Sequence, residues 1–222
     1  MRLLLLNTCG AAGSVALADT ELSEPVVALA EMPGRSASER LVAAVREAMA
    51  AVSWKLADLA AVAVVTGPGS FTGVRVGLSV AKGLSEAGGV PLIAVSRLAM
   101  LAASGDSKQR ICALLDAGRN EFYCGQYPGS PGAGEALLSR ENALLAARQA
   151  DEVLVCEQSV SDALGQEVAL QLVPEPTAAD ALPIAWSRLK AAAFDDPETL
   201  DANYLRRTDA EIFAKPAMHT VG

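Results

Sequence analysis

The sequence predicts an α/β fold in two lobes, each a mixed sheet with packed helices. Three observations lead there. Apolar runs of strand length alternate with segments of helical periodicity along the whole chain. Hydrophobic residues make up 51% of the 222 residues but aromatics only 4%, so Ala, Val and Leu on closely approaching elements must fill the interior. Both halves open on strands and close on helices, without a repeat of short fixed period, which hints at two related lobes. A chain of this length should bury roughly 70% of its extended surface, enough for a sizeable core.

The elements follow in order. Residues 2–8, 14–19 and 25–31 are short apolar runs separated by CGAAG and a Ser-Glu-Pro stretch, and they predict a three-strand meander. A helix is expected from Ser36 to Ser53. Ser36 and Glu39 have the spacing of a capping box, and Leu41, Val45, Ala48, Met49 and Val52 recur on one face. LAAVAVVTG (59–67) is continuously apolar, as in a strand covered on both faces. The next helix, Thr72 to about Glu86, confines its polar side chains Arg75, Ser79, Lys82 and Glu86 to one stripe. Its Gly73, Gly77 and Ala81 lie one turn apart, and each glycine costs roughly 1 kcal/mol in helix propensity, so a close contact must compensate.

PLIAV (91–95) closes the first lobe, and the polar stretch 104–110 marks the boundary, giving lobes 1–104 and 105–222 with the last residues packing back on the first lobe. RICALLDAG and NEFYCGQY predict a hairpin, and YPGSPGAGEA a loop. A helix over 139–150, a strand over 151–157, a weakly patterned stretch and a helix within 177–194 complete the chain.

Composition excludes several functions. A net charge of -8 argues against a broad phosphate-tracking surface, so any service to nucleic acid would run through another subunit. Cys9, Cys112, Cys124 and Cys156 form no CxxC pair and have no His at ligand spacing; reduced, mostly buried thiols are expected, with no metal and no cofactor. The apolar run in MRLLLLN is too short for a secretory leader and no segment reaches membrane-spanning length, so a cytoplasmic location with no membrane contact is expected. His219, the one histidine, lies close to the C-terminus, where a catalytic base is poorly held; a solvated tail is expected there.

The most informative string is Thr66-Gly67-Pro68-Gly69-Ser70-Phe71-Thr72-Gly73, at a strand-to-helix junction. A structural turn and a phosphate-binding loop using Gly67, Gly69, Ser70 and Thr72 both fit it. It lacks the Gly-Lys-Ser/Thr of a P-loop and the GxGxxG of a dinucleotide site. TGPGSFTGVRVGLSVAKGL resembles the signature of the TsaB family, also called YeaZ. LLLLNT, SERL, VPLIAVSRLAML, DAGRNEFY and NYLRR fall in that family's order across nearly the whole chain.

The resemblance implies an actin-like, ribonuclease H-like fold and a non-catalytic role. TsaB-like proteins support the catalytic subunit TsaD and the ATPase TsaE in threonylcarbamoyl transfer to the adenosine beside the tRNA anticodon, touching tRNA only indirectly. The Ser36–Ser53 helix has an apolar face and the Thr72–Glu86 helix too little polar surface to lie exposed, so together they offer either a docking surface or simply a layer packed on the sheet. TsaB-like proteins are expected to use this face for TsaD, or to homodimerise through it when alone. In this chain that face comprises Leu41, Val45, Met49, Gly73, Arg75, Val76, Ser79 and Val80.

TsaD-like sequences carry a metal-binding HxxxH motif where this chain has Arg97 and Leu101, neither of which can ligate a transition metal. Two departures from the TsaB pattern stand out. The first strand ends Asn7-Thr8-Cys9 rather than Asp-Thr-Ser, and Ala37 and Ala202 replace a common His and Pro. An actin-like small-molecule kinase or ATPase is the rival function and is weakened by Asn7; a metal-dependent peptidase is opposed by Arg97 and Leu101 and by the absence of HExxH. Asp116, Arg119, Glu121 and Tyr123 form the densest polar cluster, which fits either a partner contact or a hairpin turn tied by an Asp-Arg ion pair. Tyr204, Leu205 and Arg206 are expected to anchor the end of the chain.

Overall fold

The computed structural model describes residues 1–34, 37–128 and 134–206, apart from the side chain of Ser38. The Ser36 capping box and His219 therefore lie outside the described residues.

Two five-stranded sheets carry the fold. The first is built from β1 (Arg2–Asn7), β2 (Gly13–Asp19), β3 (Val26–Met32), β4 (Ala61–Val65) and β5 (Leu92–Val95), in the order β3-β2-β1-β4-β5. β1, β2 and β3 form an antiparallel meander, and β4 and β5 add in parallel. The second contains β6 (Ile111–Gly118), β7 (Glu121–Tyr127), β8 (Glu135–Ser139), β9 (Glu152–Val155) and β10 (Gln171–Leu172), in the order β10-β9-β6-β7-β8. Its pairings repeat those of the first sheet: β6, β7 and β8 antiparallel, β9 and β10 parallel. Antiparallel strands need only tight turns, whereas parallel neighbours need crossovers, here mostly helical.

The alternation of β-strand side chains explains the layers. Leu4 and Leu6 of β1 face α1 (Ala37–Ala51) and α2 (Phe71–Gly88), while Leu3 and Leu5 face the opposite layer, which includes α6 (Leu182–Lys190). All four leucines are fully buried, as the uninterrupted apolar run required. In the second sheet, Cys112 and Leu114 face α4 (Arg140–Gln149) and α5 (Gln158–Leu164), and Ile111, Ala113 and Leu115 face α3 (Arg97–Ala102). The halves therefore exchange helices. α3 follows the first sheet but covers the second, and α6 follows the second but covers the first.

The structure corrects three local expectations. Glu135 and Ala136, placed in a loop, begin β8; the preceding Pro/Gly run conceals an edge strand of only five residues. The weakly patterned stretch after β9 contains the seven-residue α5, too short to display much periodicity. The hairpin between β6 and β7 turns at Arg119 and Asn120, both with positive φ, and no Asp116-Arg119 ion pair ties it. Asp116 instead accepts hydrogen bonds from Gly118 N–H and the Ser159 hydroxyl, and the ion pair of this region joins Glu121 to Arg206 at 2.7 Å.

Candidate functional site

Two regions bring the candidate residues together: the junction between the sheets and the outer face of α1 and α2. The glycine-rich turn Thr66–Ser70 joins β4 to α2 and sits on the end of β1. Gly67 has φ +102°, which favours glycine, and a Cβ on Gly69 would collide with the Cys9 carbonyl. Ser70 is engaged twice: its N–H donates to Cys9 O at 2.8 Å, and its hydroxyl caps α2 by accepting from Gly73 N–H at 3.2 Å. These bonds commit Ser70 to the turn, and Thr72 is exposed at the start of α2.

Asn7, where an actin-like ATPase would place a carboxylate, is 2% exposed and committed on both sides. Its amide donates to Pro176 O at 2.9 Å and its carbonyl oxygen accepts from Cys9 N–H at 3.1 Å. The Cys9 thiol donates to Val65 O, and burial pushes its pKa up to about 12.

Arg97, at one of the two positions of the metal motif, is 3% exposed. Its Nη2 reaches Glu175 at 2.7 Å and Glu157 at 3.1 Å. Burial works against its charge, but Glu157, Cys156, Glu175 and Cys9 outweigh it and hold the guanidinium above its usual range. Leu101 is fully buried against the second sheet. Among the described residues no group of three or more His, Cys, Asp or Glu side chains is placed to hold a metal. All four cysteines are free thiols.

The predicted docking face divides. Leu41 (1% exposed) belongs to the core, and Gly73, half-buried, has its Cβ direction aimed at the Thr8 carbonyl, so it can present only backbone to a partner. Val45, Met49 and Val80 line a groove of about 600 Å3 between α1 and α2, with Val42, Trp54, Leu56 and Leu84. Val42, at the edge of the apolar stripe, is 65% exposed. Val76 packs against the core beside the groove, and Ser79 is exposed.

Arg75 lies at the other end of α2, its guanidinium 3.5 Å from the Phe71 ring centroid and its Nε donating to the Tyr204 hydroxyl at 2.7 Å. Tyr204 thereby anchors the late segment to α2. Tyr123 lines a cavity of about 160 Å3 beneath that contact, together with Thr66, Pro68 and Asn203. No sequence signal paired residues so far apart.

The duplicated sheet of order 3-2-1-4-5, with the glycine-rich turn at the junction of the halves, defines the actin-like, ribonuclease H-like class. A family model described as TsaD, tRNA N6-adenosine threonylcarbamoyltransferase, matches residues 29–196. YeaZ from Pseudomonas aeruginosa superposes with a TM-score of 0.75 at 28% identity, covering 90% of this chain and 98% of that one. The tRNA threonylcarbamoyladenosine biosynthesis protein TsaB of Escherichia coli (strain K12) is 35% identical over 57% of this chain and 55% of its own length. The TsaB protein of Bacillus subtilis (strain 168) is 32% identical over 66% of this chain and 63% of its own. The chain thus spans less than two thirds of these two curated relatives. It belongs to the TsaB (YeaZ) family.

Proposed function

We propose that this chain acts in tRNA threonylcarbamoyladenosine formation as the accessory partner of a TsaD-like catalytic subunit, together with a TsaE-like ATPase, and that it docks through the α1-α2 groove. The observation that carries this reading is the groove itself. Val42, Met49, Val80, Leu84, Trp54 and Leu56 leave an apolar trough on the outside of helices that already cover their own sheet. Exposed apolar area of this kind is characteristic of a protein contact. Self-association through the same face when the partner is absent follows from the same chemistry. The relatives named as TsaB biosynthesis proteins support the pathway, and the TsaD-described family model supports the partner class.

The test is reconstitution with purified TsaD, TsaE, tRNA, threonylcarbamoyl-adenylate and ATP, reading modified adenosine with and without this chain. Modification should require the chain. Val42→Glu, at a site too exposed to affect folding, should weaken pairing with TsaD at least about 100-fold by placing a charge in a desolvated contact. Unchanged modification without the chain, together with nucleotide turnover by the chain alone, would establish the kinase-like alternative instead.

A further inference from the structure

Between the two sheets, away from the groove, three positively polarised groups converge on carboxylates that the chain itself supplies. Arg97 provides the cation. It is 3% exposed, and its Nε has no hydrogen-bond partner among the described residues. The other two groups are backbone amides, one from each half of the fold. Ala11 N–H, from the β1-β2 turn, donates to Glu175 Oε1 at 3.0 Å, and Asp116 N–H, near the end of β6, donates to Glu157 Oε2 at 2.5 Å. At Glu175 the guanidinium and the Ala11 amide share one oxygen, Oε1, whereas at Glu157 the guanidinium and the Asp116 amide take one oxygen each. A guanidinium and an amide converging on one carboxylate make an oxyanion seat, since charge-assisted hydrogen bonds are about twice as strong as neutral ones.

The two occupants are held unequally. Glu157 immediately precedes α5 and bridges Arg97 to β6. Glu175 lies on the irregular connection between β10 and α6, and its side chain is 31% exposed. Residue 10 is glycine, and a Cβ there would overlap the Glu175 carboxylate, which would have to leave its present position. Cys9 and Cys156 flank the arginine as neutral thiols, their pKa values raised by burial to about 12 and about 11.

We propose that this junction is an oxyanion-binding site filled by the chain's own glutamates, and that Glu175 is the exchangeable occupant, displaced by the carboxylate or phosphate group of a small ligand. The ligand group takes the same two donors, Arg97 Nη2 and Ala11 N–H. The site is independent of the groove and of the partner proposed to dock there.

Anion rescue tests it on the full chain. Glu175→Ala should lower the melting temperature by about 5 °C, because the buried Arg97 loses one of its two carboxylate partners. Formate should restore most of that loss, whereas chloride at the same ionic strength should not. Restoration by phosphate as well would extend the seat to tetrahedral oxyanions. Gly10→Ala should also lower the melting temperature, but without formate rescue, because its methyl occupies the seat. Adding Arg97→Met to Glu175→Ala should abolish the rescue. Should Glu175→Ala prove insoluble, refolding yield replaces melting temperature, with recovery in formate but not in chloride expected. The proposal is overturned if no oxyanion restores the variant, if chloride does so equally, or if rescue survives loss of Arg97.

Discussion

At the end of β1, Asn7, Thr8 and Cys9 each make hydrogen bonds that join separated parts of the chain. Asn7 reaches Pro176, Thr8 donates to Gly73 O at 2.6 Å, and Cys9 reaches Val65 O. Burial drives the Cys9 pKa up to about 12, whereas an unfolded cysteine titrates near about 8.5. A group whose folded pKa is raised contributes stability that is complete below the unfolded value and is lost as pH climbs towards the folded one, at about 1.4 kcal/mol per unit. Denaturant unfolding should therefore show stability falling from about pH 9 to about pH 12, and Cys9→Ser should flatten that decline. The thiol's presence was evident from the sequence. Its sealed position was not, because Val65 and Arg97 reach it only through the tertiary fold.

The element that illustrates local conflict resolved by packing is α2. Its glycines lower helix propensity, and the structure shows what compensates: a Cβ at Gly73 would strike the Thr8 carbonyl, and one at Gly77 the Thr8 hydroxyl, so the helix lies directly on the end of β1. Gly83 differs, because a Cβ there meets nothing within 4 Å. Gly73→Ala should destabilise the protein by about 3 kcal/mol through backbone displacement, while Gly83→Ala should stabilise it by about 1 kcal/mol. Urea midpoints of the two variants should move in opposite directions. The strip Gly73-Gly77-Ala81 was legible because its spacing equals a helical turn. Glycine spacing alone does not tell an internal contact from an external one.

On the scale of the whole molecule, the sheets are joined by exchanged helices and by a carboxylate hub. Glu135 of β8 accepts from Ser96, from Tyr127 at 2.7 Å and from Asn203 at 2.6 Å, and Asn203 N–H in turn bonds Thr66 O beside the glycine-rich turn. Burial, with Glu135 adding to it, pushes the Tyr127 phenol pKa up, so the hydroxyl remains a donor. Glu135→Ala should cost about 3 kcal/mol by stranding part-buried donors, and it should expose the segment around Asn203 to protease before global unfolding. Neither β8 nor this hub could be read in advance. A five-residue edge strand carries little periodicity, and a hydrogen-bonded carboxylate has no one-dimensional signature.

The sequence by itself determined the α/β class, the meander, the principal helices and the family, because periodicity, turn residues and a long glycine-rich signature are properties of neighbours along the chain. Tertiary structure alone decided that α3 and α6 cross to the opposite sheets, that Leu41 is buried while Val42 is exposed, and that Arg97 meets Glu157 and Glu175. The physical reason is that burial and charge pairing depend on which surfaces meet, and those contacts link residues tens of positions apart whose identities do not constrain one another locally.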